Sequence, residues 1–221
     1  MMGVFEKSAR LRHIGHLDIM RSVQRALRRS GLPVAYSQGF NPHILITFAS
    51  ALSTGAIGKR EIMDVTMAEE VTPEAFLAAM NAAMPPDMQL SYAKAMDQQH
   101  PALMAMVRAA RYDLQLMDES TWQTLADAIP AFLQQESIPA MRKTKSGVKE
   151  CDIRPLIHDL SAADGHICAT LTLTESMSCK PDMLLTALCG FAGCDVPRMI
   201  VTREGLLGED EGGALTPLEN L

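Results

Sequence analysis

Between Asp18 and Glu61 the chain carries no acidic residue, although it holds 26 Asp and Glu among 221 residues and a net charge of −6. Long apolar runs are missing too. None approaches the roughly 18–20 residues of a membrane span, and the N-terminal "MMGVFEKSARLRHIGH" turns basic at once, without the apolar centre of a signal peptide. Cysteine is confined to Cys151, Cys168, Cys179, Cys189 and Cys194, with no C-x2-C pair. An odd number at such spacings argues against a disulfide framework in a chain this size, and none has the spacing of a cluster-binding loop. The expected setting is the cytoplasm, with thiols reduced and no membrane contact. Walker loop, dinucleotide fingerprint, serine elbow, kinase set and H-E-x-x-H are all absent. Aromatic residues are few (one Trp, three Tyr, six Phe) and do not form the stacking pattern of an RRM sheet.

What is present is ordinary globular composition, 48% hydrophobic and 21% charged, but with its charge segregated. Residues 1–60 hold nine Lys and Arg against Glu6 and Asp18, hence +7, which leaves −13 on the other 161 residues. A local field attractive to anions follows.

Periodicity orders the first half as β-α-β-β-α-β. Strands are expected at 3–9, 43–49, 61–67 and 88–96, with helices from His16 to Ser30 and over 72–84. Thr72 is the N-cap of the second helix, and Pro73 sits in its first turn, where its missing N–H costs nothing. The second half repeats the order: strands at 111–117, 138–144, 166–174 and 197–206, helices at 119–136 and 180–193, the first of them interrupted at Pro130. Pro73 and Pro181 lie 108 residues apart, Pro33 and Pro139 106, which points to a duplication. The fold class is therefore α+β, two tandem ferredoxin-like (β-α-β-β-α-β) units with antiparallel sheets. The units span 1–97 and 111–207, joined by a helical connector at 98–110. The Gly-rich, acidic tail 208–221 is expected to be mobile.

Arg21, Arg25 and Arg28 recur at i, i+4 and i+7, with Arg29 at the margin of the same helix face, while Met20, Val23 and Leu27 turn toward the sheet. Arginine engages phosphate bidentately, so this stripe is either a solvated face or an anion site. A second basic stretch supplies Arg142, Lys143, Lys145 and Lys149, with Arg154 behind Asp152. Its plainer reading is a hairpin kept soluble by lysines, with Asp152 and Arg154 as a structural ion pair.

His13, His16, Asp18 and His43 are the candidates for chemistry in the first half. Their spacing matches no metal motif, and no metal or cofactor is expected. A histidine beside a basic surface would act as general acid or base on an RNA phosphodiester. The turn "SQGFNPH" matters foremost as backbone: Gly39 takes positive φ, Asn41 precedes Pro42, and Phe40 anchors the loop.

The stretch "GHLDIMRSVQRALRRSGLPVAYSQGFNPH", with "ITFASALSTG" and "KECDIRPLI", resembles the radical-SAM-linked protein family, a family of unknown function. Its members are fused to or encoded beside cobalamin-binding radical SAM proteins, often near genes for ribosomal proteins and an RNase E/G-type ribonuclease. The resemblance covers most of residues 3–206. Its signature positions correspond to His16, Leu17, Asp18, Arg21, Arg25, Arg28, Arg29, Pro33, Tyr36, Gly39, Phe40, Asn41, Pro42 and His43, with Asp152, Arg154 and Pro155. Gly15 stands where a serine is usual, and Ile44 where a second proline is common. The resemblance implies a partner, a cobalamin-binding radical SAM protein, since this chain has no C-x3-C-x2-C trio of its own.

The leading expectation is a non-catalytic accessory protein, presenting an arginine-lined groove rimmed by "GFNPH" to RNA or another phosphate-rich substrate of that partner. The alternatives are a protein–protein adaptor without RNA binding, and a metal-independent ribonuclease using His16 or His43.

Overall fold

The computed structural model describes residues 1–221 apart from Gln98, Lys145 and Ser146, and only the backbone of Glu119, Lys143 and Thr144. Two compact units divide the chain, one of Met1–Val107 with Gly205–Leu221 and one of Arg108–Glu204. Both are mixed α+β.

The first unit begins with β1 (Met2–Lys7), almost wholly buried. The helix α1 (His16–Arg29) starts from Gly15, whose extended φ of −71° and ψ of 157° make it the N-cap without a capping side chain. Ile19, Val23, Ala26 and Leu27 form its buried face, an i, i+4, i+7, i+8 stripe. Gly31, at φ +71°, ends the helix as only glycine does without strain. Then come β2 (Ile46–Phe48), β3 (Ile57–Val65), α2 (Pro73–Ala83), β4 (Leu90–Lys94) and the single turn α3 (Leu103–Met106). Thr72 Oγ1 accepts the Ala75 N–H at 3.2 Å, the cap expected there. β1 pairs antiparallel with β3 (Val4↔Ile62) and with β4 (Val4↔Tyr92), and β2 pairs antiparallel with β3 (Ile46↔Val65), giving the order β4-β1-β3-β2. Phe5, Met63, Phe76 and Met80 pack with the buried face of α1 into one core.

The second unit runs β5 (Ala109–Leu116), α4 (Glu119–Leu133), β6 (Pro139–Thr144), β7 (Gly147–Asp152), β8 (Ile157–Ala163), β9 (His166–Thr172) and α5 (Pro181–Ala192). β10 (Met199–Glu209) gives residues 199–204 to this unit, and 205–209 to the first. β9 pairs antiparallel with β5 (Tyr112↔Ala169) and with β8 (Leu160↔Ala169), and β10 borders β5. The strand expected at 138–144 is not part of this sheet. As β6 it pairs with β7 in a separate two-stranded hairpin, and β8 takes the place beside β9. Burial explains the exchange: β8 contributes Ile157 and Leu160 to the core, whereas "PAMRKT" carries two charges and has little to bury. α4 continues through Pro130 and ends at Leu133, three residues short of the expected end.

Three boundaries also differ from expectation. Residues 98–107 belong to the first unit, with Leu103 only 2% exposed. β10 is divided between the units. The tail is folded, not loose: β11 (Leu215–Pro217) pairs back on β10 (Leu207↔Pro217), and Leu218 is buried. The acidic glycine run makes this possible. Asp210 Oδ1 accepts the N–H groups of Gly212 and Ala214, both at 2.9 Å, and Gly213 turns the chain at φ +80°. Glu219 then reaches Arg60 Nε at 2.5 Å. Among the described residues no helix is long and apolar enough to cross a membrane.

Candidate functional site

With Ile19, Val23 and Leu27 committed to the core, helical geometry leaves Arg21, Arg25, Arg28 and Arg29 on the outer face of α1, and all four are exposed. Three of the four have a partner within the fold. Arg21 Nη1 donates to Asp18 Oδ1 at 2.9 Å, an exposed i, i+3 pair. Arg25 reaches Ser22 Oγ at 3.4 Å, and Arg29 donates to the Ala83 carbonyl at 2.7 Å, at the end of α2. Arg28 finds no partner among the described residues. This is an open helix face, and neither of the two pockets described below includes any of its arginines.

The chain leaves α1 through Pro33 into a hairpin. Tyr36 bridges Ile44, and the Leu45 N–H donates to the Ala35 carbonyl at 2.9 Å. Residues 37–43 form the tip. Ser37 N–H donates to the His43 carbonyl at 2.8 Å, His43 N–H to Ser37 Oγ at 3.1 Å, and Ser37 Oγ meets His43 Nδ1 at 2.8 Å. Gly39 has the expected positive φ, +126°. Phe40 does not anchor the loop; its side chain is fully exposed, and Asn41 and Pro42 beside it in the chain are exposed too. Tyr36, on the hairpin arm, is 44% exposed.

The other histidines sit apart in their contacts. His13 Nε2 accepts from Arg12 Nε at 3.1 Å, and the His16 ring meets Phe48 edge-on, with centroids 5.3 Å apart. Among the described residues no three His, Cys, Asp or Glu side chains are grouped to hold a metal. His16 does line a small pocket with Phe5, Ile19, Ser50 and the buried Lys7 and Glu61. Its volume is about 10 Å³, room for about one water, so these side chains pack closely at the base of α1. Lys7 and Glu61 were missed by the sequence reading. The signal was there for Lys7, which shares its strand face with Phe5 under period-two alternation.

The second basic stretch forms the β6–β7 hairpin. Register sets Arg142 opposite Lys149, two like charges on facing strands. Lys145 and the Lys143 side chain lie outside the described residues. Arg154, expected among the anion-binding residues, is engaged within the fold: its Nε donates to the Leu133 carbonyl at 2.9 Å, satisfying the C-terminal end of α4. Asp152 Oδ1 accepts the backbone N–H groups of Ile138 at 2.8 Å and Arg154 at 2.9 Å, closing the base of the hairpin. "CDIRP" is thus a structural clasp. Beside it, an open pocket of about 460 Å³ lies between α4, β6 and α5, lined by Phe132, Ile138, Met141, Met183 and Phe191 with Asp182.

Two carboxylates of this unit titrate below the usual aspartate range. The backbone N–H groups of Ile138 and Arg154 hold Asp152 down; Ser120, through its hydroxyl and its backbone N–H, and Thr121 do the same for Asp118, the N-cap of α4. Because the folded pKa is the lower one, this stabilisation is fully present above the unfolded value near about 4 and is lost as pH falls through the folded value. Urea midpoints measured between pH 6 and pH 2.5 should fall with acid, and Asp152→Asn should flatten that dependence. An unchanged slope in the variant would show that the clasp carries no charge dependence. The cysteines are all free thiols; burial pushes Cys179 and Cys189 up to about 12, which keeps both protonated at neutral pH.

An α+β protein with a cationic helix face and a hydrogen-bonded, aromatic-tipped hairpin is the class these features define. Residues 2–183 match the family described as "uncharacterized protein conserved in bacteria" (DUF2344), and the chain belongs to that family. No curated relative matches it.

Proposed function

We propose that this chain is a non-catalytic accessory protein of a radical SAM enzyme, and that it offers the outer face of α1 to RNA or another phosphate-rich substrate of that enzyme. The observation that carries the reading is the arginine face itself: four exposed guanidinium groups in a stretch, residues 19–60, without a single carboxylate. A merely solvated helix gains from interleaved acids at i, i+4, and this one uses only Asp18. The radical SAM partner rests on the resemblance of residues 16–43. Two ferredoxin-like units belong to the same proposal, supported by the antiparallel order β4-β1-β3-β2 and its counterpart β10-β5-β9-β8, in which the β6–β7 hairpin is an insertion. So does a cytoplasmic setting, in keeping with five free thiols.

The test is a salt titration of binding to a single-stranded RNA 12-mer. Phosphate contacts release counterions, so affinity should fall steeply with salt, by about 0.7 units of slope per contact. A protein that binds no RNA but retains a radical SAM partner would establish the adaptor in its place. RNA cleavage by the purified chain, abolished by His43→Ala, would establish the ribonuclease.

A further inference from the structure

The tip of the hairpin after α1 presents one aromatic ring to water under conditions that a chance surface residue does not meet. Isolated apolar side chains on a surface are normal, but they commonly lie down against their neighbours. Phe40 lies against nothing: its relative exposure is 105%. The backbone beneath it is pinned by the three Ser37–His43 contacts and by Pro42 with its fixed φ, while Gly39 allows the turn at φ +126°. The turn that carries the ring is preorganised, so ordering its backbone on binding costs little.

Its surroundings decide what it fits. A protein-docking anchor sits at the centre of a patch more apolar than the surface around it. Phe40 is flanked by Gln38, Asn41, Pro42 and His43, all exposed; two are amides able to bond base edges. No carboxylate occurs within twenty residues on either side, and Arg28 and Arg29 end the helix from which the hairpin departs. An exposed ring on a cationic, carboxylate-free stretch of chain suits single-stranded nucleic acid: a ring stacks on a base, and guanidinium groups take phosphates.

We propose that Phe40 is a stacking platform for an unpaired base, so that the ligand of the α1 face is single-stranded RNA, not duplex. This rests on the RNA reading above. The intact chain is titrated with a single-stranded 12-mer, a blunt duplex of the same length, and a 12-mer of abasic sites with the same phosphates. Phe40→Ala should weaken binding to the single strand by about five- to hundredfold and leave the duplex, the abasic strand and the salt slope unchanged. Phe40→Trp should retain affinity, while Phe40→Leu, apolar but without a π face, should not. Because the ring packs on nothing, all three variants should fold as the wild type does. Equal binding by Phe40→Ala, or rescue by Leu as good as by Trp, overturns the inference while leaving the arginine reading intact. Loss of a protein partner with RNA binding unchanged overturns it too, in favour of protein docking. A wild type that binds none of the three probes removes the RNA reading and this inference together.

Discussion

A chain carrying Arg21→Ala, Arg25→Ala and Arg28→Ala together is expected to bind single-stranded RNA about a hundredfold more weakly than the wild type. Each charge-assisted contact is worth about 1 kcal/mol or somewhat more, and three on one face sum to about 3 kcal/mol. The salt slope should flatten by about two units, at roughly 0.7 per phosphate contact to a single strand. Among single variants Arg28→Ala should cost most, because Arg21 is already shared with Asp18 and Arg25 with Ser22. Affinity should fall to a similar extent for every sequence tested, since phosphate contacts carry no base information. Stability should change little: all three side chains are exposed, and an exposed arginine contributes mainly the packing of its stem. Binding of the triple variant like wild type, with loss of the proposed radical SAM partner, would transfer the face from RNA to protein.

Leu218→Ala is expected to destabilise the first unit by about 2–5 kcal/mol, the usual range for emptying a buried leucine site. Leu218 is 1% exposed at the end of a segment whose composition reads as loose. It is held there by β11 on β10 and by Arg60 Nε on the Glu219 carboxylate, itself only 4% exposed. Oε2 of Glu219 has no hydrogen-bond partner among the described residues, so the tail depends on its apolar and backbone contacts more than on this pair. A urea midpoint followed by circular dichroism reads the effect. RNA affinity well below the transition should be unaffected, because the tail shares no residue with the α1 face. An unchanged midpoint would mean that the tail does not pack in solution.

Local signals in the sequence determined the helices and most strand positions. Thr72 with Pro73, the proline at the head of α5, and the apolar stripe of α1 act within a turn or two of helix, where capping and periodicity decide the outcome unaided. The arginine face was legible for the same reason: once one side of a helix is committed to the core, the opposite side is fixed by geometry. Partner choice was not legible. A strand's alternation says which face is buried, but not which strand lies beside it, so β6 was placed in the sheet that β8 occupies. Tertiary structure likewise folded the acidic tail onto β10, drew Arg154 to the Leu133 carbonyl, buried Lys7 and Glu61 near α1, and left Phe40 in water when a turn aromatic is ordinarily an anchor. Each of these depends on contacts between residues distant in the chain, and the free energy of such a contact belongs to the pair and is written in neither residue alone.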